Sequence, residues 1–181
     1  MINLKSEVQN KILDYFFLNE ARDVYINELA RIIDADPKNL YRMLLRLESE
    51  GVLESEFKGK QRYFRARKKS PVYAAYKTLY TQTAGLGQQL KKELSGIKGL
   101  REGYLFGSYG TKKFGPESDI DLLLVGDYVR LQVQRVLFKI QKKIAREINA
   151  VHLTDSDFRK QKIQKGSFVH RVLSANPTRI V

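Results

Sequence analysis

The chain has no cysteine, and its two histidines, His152 and His170, stand alone among 181 residues. The first absence excludes disulfides and thiolate metal sites, and the second leaves no zinc constellation. His152 lies in a strand-like run and reads as a packed or surface residue. No apolar stretch approaches the roughly eighteen residues that a membrane-spanning helix needs. Met1 to Leu18 is an amphipathic pattern interrupted by charges, so neither a signal peptide nor a membrane partner is expected, and a cytoplasmic location is. Acidic residues are also short in number: 20 Asp and Glu face 33 Lys and Arg, for a formal net charge of +13 and a pI near 9.8. That balance favours polyanionic partners such as nucleic acid. Hydrophobic residues make up 43% of the chain, enough for ordinary cores in one or two small folded domains.

The charge is unevenly placed. Residues 1–57 carry seven Lys/Arg against eleven Asp/Glu; the next twelve, Lys58 to Lys69, hold seven cations and no acid. Residues 70–181 then carry nineteen Lys/Arg against nine Asp/Glu. A short dense basic segment is thus followed by a broad basic background.

The stretch FGSYGTKKFGPESDIDLLLVGD, Phe106 to Asp127, is the most specific in the chain. Asp119 and Asp121 are two apart, so on a strand both carboxylates leave one face while Ile120 points into a core. Two carboxylates on one face make a hard, oxygen-rich site suited to magnesium. Gly107 lets the backbone pass close to a ligand, and the amides from Ser108 to Gly110 can present N–H donors to phosphate oxygens.

A GS turn followed at this distance by a DxD-type strand resembles the nucleotidyltransferase superfamily that includes DNA polymerase beta, most closely its minimal nucleotidyltransferase branch. The resemblance rests on Gly107, Ser108, Ser118, Asp119, Ile120 and Asp121. It implies that Gly107 and Ser108 hold a nucleoside triphosphate, and that Asp119 and Asp121 are the catalytic, magnesium-binding pair for nucleoside monophosphate transfer. Family members commonly carry a small residue and an arginine after GS-x; here Gly110 and Thr111 precede Lys112 and Lys113, and Lys112 supplies the charge toward the nucleotide as a point, not a planar fork. Active members also place a third carboxylate on a later strand. The corresponding run here is Glu147 to Leu153, and the aligned position is Asn149, which carries no charge and cannot accept a proton from an attacking hydroxyl. Asp155 and Asp157, just beyond, read as helix-capping residues. Nucleotide binding is therefore expected ahead of efficient transfer.

The first seventy residues read as a DNA-binding unit. Val8, Ile12, Leu13, Phe16 and Phe17 recur at helical spacing up to about Asn19, and a second helix is expected over about 26–33. Asp34 to Asp36 make a turn, Pro37 sits at a first helical position, and Leu40, Met43, Leu44 and Leu47 form an apolar stripe that ends at Gly51. Val52 to Phe57 and Gln61 to Arg67 are strand-like, joined by Lys58, Gly59 and Lys60. Three helices and a basic hairpin resemble the winged helix-turn-helix domain of prokaryotic transcriptional regulators, with NLYRMLLRLESEGVLE as recognition helix running into the wing. Lys38, Arg42 and Arg46 are four apart and share a face away from the stripe. Asn39, Tyr41 and Arg42 stand near the helix start, where base edges of double-stranded DNA are reached, and Arg46 is placed for phosphate. Lys58, Lys60, Arg62 and Arg65 on the wing would contact backbone or minor groove.

Between these stretches, Tyr73, Tyr76, Leu79 and Tyr80, then Leu86, Leu90 and Leu94, predict a linker helix region over 71–98, broken near Gly85, after which comes the first helix of the second domain. Its aromatic stripe serves either packing within one domain or a homodimer contact. The expected organisation is α+β: a winged helix-turn-helix domain at 1–70, the linker, and at 99–181 a nucleotidyltransferase-like domain whose mixed sheet is flanked by helices, the last ending near Ser174. Together the resemblances imply a transcriptional regulator that binds nucleotide. The alternative is an active nucleotidyltransferase acting on a protein or small molecule, of an antitoxin type paired with a small helical partner protein.

Overall fold

The computed structural model describes residues 6–109, 114 and 118–181. They form a mixed α+β protein that divides into two compact units, one reaching to Leu86 and taking in Lys142–Ala145, the other made of Gly87–Gln141 and Arg146–Val181.

In the first unit Ser6 caps helix α1 (Glu7–Leu18), its hydroxyl accepting the Gln9 N–H at 3.3 Å. Strand β1 (Val24–Tyr25) leads into α2 (Ile26–Ile33), which ends at Asp34 in the left-handed region, φ 48°. Asp36 then caps α3 (Pro37–Ser49) by accepting the Asn39 N–H at 2.8 Å, with Pro37 at the position that needs no donor. Gly51 at φ 79° turns the chain into β2 (Leu53–Lys58) and β3 (Gln61–Ala66), an antiparallel hairpin completed by β1 in the order β1-β3-β2. Ile12, Leu13 and Phe16 of α1, Leu29 and Ile33 of α2, Leu40, Leu44 and Leu47 of α3, and Phe64 of β3 form one buried core. The apolar periodicities seen in the sequence are therefore the three helix faces turned toward each other.

Within residues 71–98, α4 (Pro71–Thr83) falls in the first unit and most of α5 (Leu86–Leu94) in the second. The reason is the aromatic stripe. Tyr73, Tyr76 and Tyr80 are buried, and the Tyr73 and Tyr80 rings lie 5.4 and 5.6 Å from Phe17 on α1. Of its two expected uses, these rings take packing within the unit. The Tyr73 hydroxyl donates to Glu20, which also receives Lys77 Nζ at 2.8 Å. Burial alone would raise the Glu20 carboxyl, but the Lys77 and Tyr73 hydrogen bonds outweigh it and hold the group below its ordinary value.

The second unit is a four-stranded sheet in the order β6-β5-β4-β7, built from β4 (Leu100–Phe106), β5 (Ile120–Gly126), β6 (Ile148–Leu153) and β7 (Thr178–Arg179). β5 and β6 run parallel, which requires a crossover, and α6 (Arg130–Ile144) supplies it. Leu122 to Val125 are all buried, as befits a strand covered on both faces. One face carries Tyr104, Leu123 and Val125 against Phe158 of α7 (Asp155–Ile163) and Val169 and Val172 of α8 (Phe168–Ser174). Ile120, Leu122 and Leu124 point the other way. The chain continues beyond the last expected helix: β7 pairs with β4, and Ile180 N donates to Gly103 O at 2.8 Å.

Because the folded Glu20 pKa is depressed, its contribution to stability is present above the ordinary carboxylate range and is lost as pH falls through the folded value. Glu20→Gln should lower stability by about 1 kcal/mol at pH 7, with the difference from wild type closing toward pH 3, in denaturation followed by circular dichroism. A deficit that stays constant across that range would contradict the assignment.

Candidate functional site

Strand β5 begins at Ile120, so Asp119 stands one residue ahead of the ladder and exposed, while Asp121 is inside it and half-buried. Ile120 between them is fully buried and anchors the pair. Asp121 lies opposite Phe106 of β4 on one side and Asn149 of β6 on the other. Gly107 follows Phe106 directly with φ 72°, and a β-carbon there would collide with the Asp121 carboxylate oxygen and sit 3.1 Å from its Cγ. The carboxylate thus packs onto a bare α-carbon, a place only glycine leaves open. Burial first, and the neighbouring Asp119 charge second, raise the Asp121 carboxyl above its ordinary value.

Asn149 comes to the site, as the strand alignment anticipated. Its Nδ2 donates to Asp119 Oδ2 at 3.0 Å. Among the described residues no group of three or more His, Cys, Asp or Glu gathers in metal-binding geometry. Asp155 and Asp157 lie past the far end of β6: Asp155 pairs with Arg101 at 3.0 Å, and Asp157 exchanges hydrogen bonds with Thr154. Thr154 is the actual cap of α7, which corrects the reading of the two aspartates as capping residues; they sit in its first turn, where the helix dipole favours acids. Two carboxylates and an amide offer hard oxygen donors of the kind that suits magnesium, and water or phosphate would have to fill its remaining positions. Ser108 is half-buried in the turn after Gly107, and Lys112 lies outside the described residues.

Arg146 escaped sequence reasoning. Its Nη1 donates to the Ser118 carbonyl at 3.0 Å and its guanidinium lies 4.9 Å from the Phe114 ring centroid, while Ile120 N donates to Glu147 O at 3.0 Å. These contacts fix the chain immediately ahead of Asp119. The only signal was a cation at the junction of a helix and the strand facing the acids. His152 is half-buried with its Nδ1 2.7 Å from the Tyr128 hydroxyl, and burial lowers its pKa.

On the first unit, Lys38, Tyr41, Arg42 and Arg46 are exposed on α3, opposite buried Leu40, Leu44 and Leu47. Asn39 Oδ1 accepts from Arg42 Nη2 at 3.0 Å, and Arg46 pairs with Glu50 at 3.0 Å. The hairpin cations are more engaged than their count suggests. Arg62 reaches Glu48 at 2.7 Å, Ser55 at 2.8 Å and the Tyr41 hydroxyl at 3.4 Å, and lies over the Phe64 ring at 5.3 Å. Arg65 pairs with Glu54 at 2.8 Å, and Lys58 with Asp23 and Glu56. Lys60 is exposed at the hairpin tip.

Residues 88–176 match the family model described as Polymerase beta, Nucleotidyltransferase. The match takes in Gly107, Asp119, Asp121 and Asn149, so a nucleotidyltransferase-like domain occupies this part of the chain. No curated protein matches the chain.

Gly166 also has positive φ, 78°, but nothing within 4 Å of a β-carbon, whereas Gly107 has the Asp121 carboxylate. Gly166→Ala should therefore cost about 1 kcal/mol from backbone strain alone. Gly107→Ala should cost more and also weaken Mn²⁺ binding, read by melting and by electron paramagnetic resonance. Equal cost with unchanged cation binding would show that the carboxylate is not held against the glycine.

Proposed function

We propose that this protein, with its nucleotidyltransferase-like domain at residues 88–176, is a DNA-binding transcriptional regulator that holds a nucleoside triphosphate and Mg²⁺ as a ligand. The observation that carries the reading is the amide of Asn149 hydrogen-bonded to Asp119, at the place where a transferase needs a third acid. An amide at that position gives no acceptor for the proton of an attacking hydroxyl, so binding survives where general-base catalysis does not. Asp119 and Asp121 would hold the cation, whose chemistry is to neutralise triphosphate oxygens. Asn149 orients Asp119 by engaging one of its two oxygens. Gly107 keeps Asp121 against the turn, and the backbone after it offers N–H donors to phosphate, with Lys112 as a further cation.

DNA binding is supported by the order helix, strand, helix, helix, hairpin in the first unit and by the exposed polar face of α3. In this reading Lys38, Asn39, Tyr41 and Arg42 meet base edges, and Arg46, Lys58, Lys60 and Arg65 meet phosphate. Arg62, tied to Glu48, Ser55 and Tyr41, holds the hairpin to α3 rather than touching DNA. A homodimer would present two such helices to a two-fold site. The intact Asp119 and Asp121 pair favours a second reading, transfer of nucleoside monophosphate to a protein or small molecule, with a small helical partner protein.

Calorimetry with ATP, GTP and CTP should give saturable binding that needs Mg²⁺ and is lost in Asp119→Ala/Asp121→Ala. Labelled ATP should leave no covalent product. Product formed by wild type and abolished in the double variant would make the enzyme reading the correct one.

Footprinting of genomic fragments should find a preferred site. At that site Lys60→Ala should lower the slope of log affinity against log salt by about 0.9, as loss of one phosphate contact does. Arg62→Ala should weaken binding with the slope unchanged. A slope change for Arg62 equal to that for Lys60 would make it a DNA contact, and absence of any preferred site would end the regulator reading.

A further inference from the structure

We propose that a cleft at the end of the second unit's sheet opposite the carboxylate pair binds a small molecule through its phosphate group. The cleft has a volume of about 610 Å³, and Lys98, Asp127, Tyr128, Arg130 and Gln132 are among its lining residues. That size lies within the range of small-molecule sites. Asp121 stands near the start of β5 and Gly126 ends it, so about 17 Å of strand separates the cleft from the carboxylates.

Backbone packing gathers the cations. Gly99 and Gly126 have φ of 88° and 139°, and a β-carbon on Gly126 would collide with the Gly99 carbonyl, one on Gly99 with the Asp127 carbonyl. Only glycine allows this approach. The turn ahead of β4 is thereby drawn against the turn after β5, which places Lys98 and Arg130 on one cleft although they are far apart in sequence. Among the described residues neither has an ion pair, even with Asp127 in the same lining, whereas nearby Arg101 takes Asp155 at 3.0 Å. The Arg130 charge also reaches inward. Tyr128 lines the cleft and its hydroxyl meets His152 Nδ1 at 2.7 Å; burial first, and the Arg130 charge second, hold the imidazole below its ordinary pKa. An anion in the cleft would take charge-assisted hydrogen bonds from both cations and offset the Arg130 charge at His152. Thr154, also in the lining, has its hydroxyl committed to Asp157, which leaves the Gln132 amide as the further side-chain donor. Donors on separate elements suit the tetrahedral oxygens of a phosphate better than the two in-plane oxygens of a carboxylate. The Tyr128 ring and Val129, 59% exposed, offer apolar surface to the rest of the molecule. A concave site with two cations, not a basic stripe, favours a small molecule over nucleic acid.

The test uses the full-length chain in metal-free buffer, with inorganic phosphate as probe at constant ionic strength. The chain has two histidines, so proton NMR at about pH 6.5, the ordinary imidazole value, reads both rings directly. Phosphate should move the His152 signals saturably toward their protonated position, because an anion beside Arg130 raises the imidazole pKa, and should leave His170 in place. Acetate should move neither. Lys98→Ala should weaken the phosphate response roughly 10-fold. Arg130→Gln should shift His152 toward the protonated form before phosphate is added, and phosphate should then move it little further. Arg135→Gln, an exposed α6 cation outside the cleft lining, should respond as wild type does. If circular dichroism shows that a cleft variant does not fold, the comparison of phosphate with acetate in wild type decides. A His152 signal that does not respond saturably, that responds equally to acetate, or whose response survives both cleft substitutions overturns the proposal.

Discussion

Two carboxylates held side by side at the start of one strand are the constraint around which the second unit is arranged. Asp121 is pressed against the α-carbon of Gly107 and half removed from water, with Asp119 two residues away. Neither can retreat, because Ile120 between them is buried and β5 is paired on both sides. Arg146 and the Glu147 carbonyl fix the approach to Asp119. Among the described residues the neutral donor Asn149 meets this charge at Asp119, and two carboxylates so close need a cation to stay ionised together. In the proposed function that need is filled by Mg²⁺ and a triphosphate, and the absent third acid limits the site to holding them.

The two units differ in how their charge is distributed. In the first, acids and cations find each other: Glu48 with Arg62, Glu50 with Arg46, Glu54 with Arg65, Asp23 with Lys58. The basic hairpin is in this sense mostly structural, and an interaction with DNA would rest more on the start of α3 and on Lys60. In the second, Arg101 pairs with Asp155, and α6, whose last residues belong to the first unit, carries cations and no acid. A sum of +13 over the chain conceals this difference.

Much of this was legible before the fold was known. Caps and turns announce themselves locally, so Asp36–Pro37 and Gly51 set the limits of α3 closely, and the period-two spacing of Asp119 and Asp121 correctly placed them on one face. The strand facing them was expected over Glu147 to Leu153 and begins one residue later, with Asn149 beside the acids. What was not legible depends on distant partners. The tyrosines of α4 could have served an outside contact until Phe17 and Glu20 were seen beside them. Apart from Lys58 with Glu56, the ion pairs of the hairpin join residues nine to thirty-five positions apart, and no periodicity reports them. β7 is only two residues long and carries no alternating pattern, so its pairing with β4 had no sequence signal. Arg146 acts through a backbone carbonyl, which any residue provides.

The most direct measurement counts the cations bound with nucleotide, using Mn²⁺ electron paramagnetic resonance on wild type and Asn149→Asp in the presence of a non-hydrolysable triphosphate. If Asn149 is what keeps the site from completing a transferase centre, wild type binds one Mn²⁺ per protein with the nucleotide and Asn149→Asp binds two. Two tightly bound ions in wild type, unchanged by the substitution, would contradict the account.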